Sequence, residues 1–544
     1  MTYLLRSLNL VVPLNVYLEI DMTPVSSFKR TLLSVCAGLA IVATAPVQSQ
    51  EAAPNQNLRL GMGVDDIRTL DPYFSTSVGE TPIVEFVYEG LTKFPDGVID
   101  PARIQPALAE SWNVSPDGLA WTFKLRKGVQ FHGGHGEMTA DDVIFSYERL
   151  KSDKTASPFR QNLAAIKKME KVDPYTVRLY TEVPEPNLPA LLLNANKGYI
   201  MSKAALEKGI DVKTHPVGTG PFEYAEYKPR ESFRLKRNDA YWGGKPTLDS
   251  VTAQFMSNAS TRELALRNGD VHAIEIAASK DAITRMRRAN MEVDLTAPAN
   301  AFILYFNPTI KPFDNIDVRK ALSYATDRKS MLQFLGEEVS GEELSPLPSG
   351  YLGHNKNVAK YDFDPKKAKE LLAKAGFPNG FSATVIVSNN NIYLPPMQII
   401  QDQWRKVGVD LKLDVVDHPT YHRQIRQNLN PVVIYGAYRY PLDGNRYLNE
   451  FFHSRSTIGK PTASTNFSHY EKVDELLNKA QTEKDLKKRI EYWEQAQAII
   501  MDDAMAIPLF TRKYAMARSP KLDLGHPQQS YAFYTFTPKT RLLK

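Results

Sequence analysis

The stretch from Asp364 to Val415 constrains the fold more than any other part of this chain. Asp364-Pro365 opens a helix, with a capping acceptor followed by a residue whose fixed φ suits the first turn. Ala368, Leu371, Leu372 and Ala375 share one face of that helix, and Gly376 ends it. FSATVIVS (381–388) alternates as a strand, and Asn389, Asn390 and Asn391 form a polar turn. Met397, Ile400 and Trp404 recur at helical spacing, Gly408 closes the second helix, and VDLKLDV (409–415) alternates again. A β-α-β order calls for a right-handed crossover, so this region is an α/β lobe with a parallel strand pair. Asp314, followed by Val318, Ala321, Leu322 and Ala325, predicts a further helix there.

The N-terminal half reads differently. WTFKLRKGVQF (121–131), YTVRLYT (175–181) and FRLKRN (233–238) are strand-like and separated by Pro and Gly turns, which predicts a more β-rich, mixed lobe. The pattern changes near Ala297-Pro298, and a Pro-rich tail follows Ile507. Two crossings are therefore expected, with lobe I at 50–296, lobe II at 297–506, and a return to lobe I at 507–544.

The chain opens with leader-like sequence. Lys29 and Arg30 precede an uncharged, mostly apolar run from Thr31 to Val47, which ends in small residues before the polar QSQEAAPNQN. This is the layout of a secretory signal peptide at 22–49, cleaved after Ser49 or alternatively Ala45; the run is too short, and too broken by Gly38 and Pro46, for a membrane span. Residues 1–21, interrupted by Asn9, Pro13, Asn15 and Glu19, read as an upstream extension ahead of the true start at Met22. Cys36, the single cysteine, lies inside the apolar run after Leu33-Ser34-Val35, a poor context for lipid attachment. The secreted part thus has neither disulfide nor thiol, which excludes thiol catalysis and cysteine metal sites. It must be stable through its core alone.

Sixty-seven Lys and Arg against 61 Asp and Glu leave +6, with the two signs interspersed, so nucleic acid is not an expected partner. Local motifs are equally uninformative about chemistry. His132 and His135 flank two glycines with no further ligand at metal-site spacing; GMGVDD (61–66) lacks the third glycine of a dinucleotide loop; GTGPF (218–222) and GGKP (243–246) lack the phosphate-loop Lys-Ser/Thr. No G-x-S-x-G elbow occurs. No catalytic residue, metal or cofactor is assigned.

Longer stretches carry a resemblance. ALAESWNVSPDGLAWTFKLRKGVQFHGG (107–134), MTADDVIFSYERL (138–150), GTGPF, YWGGKPTLD (241–249), FNPTIKPFDNIDVRKALSYATDR (306–328), YDFDPKKAKELLAKAGFPNGF (361–381) and IPLFTRKYAMARSPKLDLG (507–525) occur in the order found in family 5 extracellular solute-binding proteins. The chain resembles that family over nearly its whole length. The resemblance implies a two-lobed periplasmic binding protein fold of the α/β class with mixed sheets, its discontinuous first lobe carrying an extra β-rich subdomain at about 93–206. It also implies a monomeric ABC-importer receptor that closes around a small-molecule or short-peptide ligand. The ligand is then delivered to inner-membrane permease subunits driven by cytoplasmic ATPases.

Most motif residues have structural explanations, such as packing for Trp112, Trp121 and Phe123 and helix capping for Asp141. Candidate ligand contacts lie elsewhere. Ligands in open α/β sheets sit beyond the carboxyl ends of strands, here at Asn389, Asn390 and Asn391 and after PVVIY (431–435). The second turn, GAYRYPLDGNRYLNEFF (436–452), resembles a family segment in which an aromatic and, three residues later, an Asp precede Tyr-Pro; in peptide-binding members that Asp receives the ligand's ammonium. Here Gly436 and Arg439 stand at those places, so the charge is reversed and the platform moves to Tyr435 or Tyr438. A guanidinium suits a carboxylate, which makes Arg439 the candidate for an acidic ligand group against the alternative of an internally paired Arg. Tyr438 and Tyr440 flank it, and Asp443 is the alternative ammonium partner. From lobe I, the resemblance places LDPYFSTS (70–77) near the cleft, offering Tyr73, Ser75 and Thr76. Peptide, opine, sugar oligomer and metal chelate all remain open as ligands, and an extracytoplasmic chaperone or sensor and a secreted hydrolase are the competing functions.

Overall fold

The strand–helix–strand unit is present as expected. Strands Phe381–Ser388 and Val409–Val416 pair in parallel along all eight residues, and helix Leu394–Arg405 connects them. Asp364 caps helix Pro365–Lys374 by accepting from the Lys367 amide. The computed structural model describes residues 51–76, 79–100, 102–296, 300–437, 439, 441–459, 465–528 and 536–544. The upstream extension expected at 1–21 and the signal peptide expected at 22–49 lie outside the described residues, as do Tyr438 and Tyr440. Among the described residues no helix is long and apolar enough to cross a membrane.

Two large cores, with three smaller clusters beside them, organise the described residues. One is built only from residues between Ala301 and Phe510, the other from Leu58 to Ala273 together with Met516, Leu522, Leu524 and Leu542. Lobe I is organised on a seven-stranded sheet in the order 292–295, 515–518, 273–276, 57–62, 250–255, 232–237, 222–228. Lobe II has a four-stranded antiparallel sheet, 340–342, 506–512, 300–306, 432–437, beside the parallel pair. A further antiparallel sheet, 109–114, 120–125, 176–181, 166–173, sits within the expected span of the inserted subdomain.

Several expectations shift by a few residues. The second crossing is not at 507: Ala506–Arg512 pairs inside lobe II, and Ala515–Arg518 is the first strand back in lobe I, so the chain crosses at Lys513 and Tyr514. IPLF is apolar because it is central in the lobe II sheet, which is why a proline-rich tail misled as a boundary. Asn315, not Asp314, caps helix Ile316–Tyr324. Thr139, not Asp141, caps helix Ala140–Lys151 in a capping box with Asp142, while Asp141 pairs with Lys171 on the surface. The strand expected over 121–131 stops at Leu125, ahead of Gly128 with its positive φ of 76°.

The GTGPF turn is a site of close backbone approach. A Cβ on Gly218 would sit 2.0 Å from the Val87 carbonyl oxygen. His132 packs beside this turn, its Nε2 2.9 Å from the Gly220 carbonyl and its ring 6% exposed, which accounts for one imidazole of the HGGH sequence.

Candidate ligand-binding cleft

Sheet register fixes where the lobes face each other. In lobe II, Asn300 pairs with Arg512, Ala301 with Ala437, and Ser340 with Arg512, so both chain crossings and the end of strand Val432–Ala437 share one sheet edge. In lobe I, Ile276 and Leu295 both pair with Ala515, and strand Asn57–Met62 runs parallel to Ala273–Ile276, so its carboxyl end points to the same edge. The described residues that follow, 63–76 in lobe I and Arg439 and 441–443 in lobe II, leave their sheets at the interlobe side. Carboxyl ends of strands at a sheet edge are where α/β folds bind ligands.

The lobe II wall is charged and aromatic. Arg439 extends from this edge with its backbone N–H on Tyr351 Oη at 2.7 Å, its Nε on Glu450 Oε1 at 2.7 Å, and its guanidinium 5.4 Å from the Phe451 ring centroid. Arg446 also reaches Glu450, at 3.3 Å. Burial favours the neutral acid at Glu450, but the two guanidinium groups outweigh it and hold its pKa below the usual value. Arg439 and Arg446 thus share the Glu450 carboxylate, and the Arg439 side chain remains 23% exposed.

Tyr435 packs against Phe451, and Tyr393 Oη accepts from the Gly436 amide at 3.3 Å. Helix His418–Gln424 brings His418 and His422 against Tyr393, with His422 also against Tyr435; their Nε2 atoms are 3.1 Å apart. Burial, His418 and Arg426 together push His422 down to about 4, so it is neutral at physiological pH. Asn390 is used locally: its Oδ1 accepts from Ile392 N and its carbonyl from Tyr393 N, whereas Asn389 and Asn391 expose their side chains.

The lobe I wall is internally bonded. Tyr73 is fully buried; its hydroxyl donates to the Tyr199 carbonyl at 2.7 Å, and Ser157 donates to its own carbonyl. Asp71 accepts from the Tyr73 amide and is paired with Arg149, which also lies over the Tyr73 ring. Thr76, exposed, accepts from Arg68. Ser75 is buried, yet its hydroxyl has no hydrogen-bond partner among the described residues.

The two lobes thus meet at an edge of strand termini, with an internally bonded segment on one side and a cationic one on the other. The model of bacterial extracellular solute-binding proteins, family 5 (middle), matches residues 103–459. The chain belongs to that family. It is 30% identical to the dipeptide-binding protein of Escherichia coli over 456 residues, covering 77% of this chain and 83% of that one. It is 29% identical to heme-binding protein A of Haemophilus influenzae over 478 residues, 83% and 86% of the two chains. Among solved structures, MoaA from A. tumefaciens R10 in complex with mannopinic acid has 37% identity and a TM-score of 0.75, covering 90% of this chain and all of that one.

In this solute-binding protein Asp443 is not part of the charged wall. It is 2% exposed and caps helix Gly444–Phe452 by accepting from the Arg446 amide at 3.1 Å. Burial lifts its carboxyl to about 6. Gly436 has no room for a side chain: a Cβ would lie 2.5 Å from the ring of Phe302, its partner in the sheet. His418, His422 and Tyr393 were missed in the sequence because the motif-bearing loops drew attention. The i, i+4 spacing of the two histidines just beyond a strand end was the available signal.

Proposed function

We propose that this chain is the periplasmic substrate-binding component of an ABC importer, and that its ligand is a small carboxylate-bearing solute of the opine class. The observation that carries the ligand class is Arg439: a partly exposed guanidinium, beside a second one on Arg446, at the interlobe edge of lobe II. A planar fork of donors recognises a carboxylate in two places at once, which a reversed charge relative to an ammonium-binding Asp makes the natural exchange. The greater identity to a mannopinic acid receptor than to a dipeptide receptor supports the same direction. Tyr435 and the neutral His418–His422 pair supply aromatic faces and uncharged polar atoms for the rest of the solute. Asn389, Asn391 and Ser75 are further contacts in this reading, and Tyr438 and Tyr440 flank Arg439 in sequence.

Function requires no covalent step. Ligand contacts from both lobes stabilise the closed form, which docks on permease subunits coupled to cytoplasmic ATPases. The leader at 22–49 fits export to the periplasm, and a single-chain cleft suffices for a monomer.

Mass spectrometry of solute released from natively purified protein identifies the ligand. Titration calorimetry with mannopinic acid, a dipeptide and glutathione then ranks the classes. Arg439→Ala is expected to lower mannopinic acid affinity by roughly tenfold to a hundredfold, the worth of a charged bidentate contact. Unchanged affinity, or a preference for the dipeptide, would overturn the acidic-ligand reading.

A further inference from the structure

The inserted subdomain of lobe I touches lobe II far along the chain from either crossing. Asn187, in the turn before helix Leu188–Leu191, donates from Nδ2 to Asp443 Oδ2 and accepts at Oδ1 from Arg489 Nη1 at 2.7 Å. Asp443 and Arg489 belong to lobe II: the first caps Gly444–Phe452, the second sits on helix Leu486–Asp502, whose Trp493, Ala496 and Ile500 lie in the lobe II core. The neighbouring Glu185 accepts from the Asn187 backbone amide at 3.2 Å, so the asparagine is held rigidly from its own lobe. Arg489 and Asp443 are almost completely buried at this contact. A second contact from the same subdomain, Lys484 Nζ to the Pro116 carbonyl at 2.7 Å, lies on the surface.

Among the described residues, the main chain passes between the lobes between 296 and 300 and at 513–514. A rotation of the lobes about those crossings displaces Asn187 from Asp443 and Arg489. One amide bridges a carboxylate and a guanidinium at once, so separation costs two charge-assisted hydrogen bonds together.

We propose that Asn187, with Asp443 and Arg489, forms an interlobe latch that sets how far the receptor is closed before any ligand arrives. The inserted subdomain is then the arm that carries the latch. Asp443 is a latch residue, and Asn187 a positioning residue that raises affinity without touching the solute. This rests on lobe closure as the working motion, but not on the ligand being acidic.

The test is a distance measurement without ligand. Cys36→Ser leaves the full chain free of thiols, and Glu182→Cys in lobe I with Glu475→Cys in lobe II, both exposed positions, accept spin labels. Pulsed electron resonance of the labelled protein is expected to show a longer-distance population that grows about tenfold relative to the closed one in Asn187→Ala. Asn187→Leu, close in volume but without any hydrogen-bonding group, is expected to give the same shift. In an Asp443→Asn background, Asn187→Ala should add less than it does alone. Distance distributions identical to the parent in both Asn187 variants would sink the latch. Failure of mannopinic acid to bind would leave this measurement untouched, so the two readings fail separately.

Discussion

The two walls of the cleft use polar side chains in opposite ways. Around Tyr73 in lobe I they are bonded to each other and to backbone: Asp71 to Arg149, the Tyr73 hydroxyl to Tyr199, Thr76 to Arg68. Around Arg439 in lobe II two guanidiniums share one carboxylate among buried aromatic rings, with the half-buried imidazoles of His418 and His422 packed on Tyr393. Apart from the Ser75 hydroxyl, the Tyr73 wall is held by internal bonds, while the Arg439 wall brings two guanidiniums to one carboxylate; in the function proposed above, the first is the rigid backstop and the second gives selectivity.

The largest test of that contrast is Arg149→Ala. It leaves Asp71, 3% exposed, as a buried carboxylate without its cation, and should cost about 3–5 kcal/mol of stability in denaturant unfolding. A cost below 1 kcal/mol would mean that the lobe I wall is not the rigid one. Next comes Gly436→Ala in lobe II. Phe302 is stacked on Phe510 at 4.7 Å and edge-on to Tyr393, so it cannot move aside for the new methyl, and a loss of about 1–3 kcal/mol is expected by thermal unfolding.

Glu185 gives a pH test. Burial lifts its carboxyl to about 7, with the Asp443 charge adding to the rise. A folded pKa above the unfolded value means the fold binds the extra proton, so this group's penalty is present above about pH 7, is relieved as pH falls through 7, and is gone below the ordinary carboxylate range. Glu185→Gln should therefore melt higher than the parent at pH 8, with the gap closing by pH 5. A constant gap would mean that the carboxyl titrates normally. Smallest is Tyr73→Phe, which removes one buried hydrogen bond and should cost about 1 kcal/mol while leaving solute affinity unchanged in calorimetry. A tenfold loss of affinity would instead make Tyr73 a ligand contact.

Much of the fold was legible because periodicity and caps act over a few residues. The 364–416 unit came through almost unaltered, and so did the strands around 177 and 235. The second crossing did not, because whether IPLF belongs to lobe I or lobe II depends on which strands it pairs with, and pairing is a long-range fact. At the site, Arg439 stood out by its chemistry against a recognisable segment. Asn187 could not: an asparagine before Leu-Pro is ordinary turn sequence, and only the fold brings Asp443, 256 positions away, against its amide.

The two crossings are themselves bonded to each other. Thr296 N–H donates to the Tyr514 carbonyl at 3.0 Å, and Tyr514 N–H donates back to Thr296 Oγ1 at 2.9 Å, while Lys513 N–H reaches Val339. Paired in this way, they behave as one strap rather than two loose tethers. A strap bends across its width far more easily than it twists or stretches, so the lobe closure proposed above would follow a single arc, with little orientational entropy left to lose on shutting.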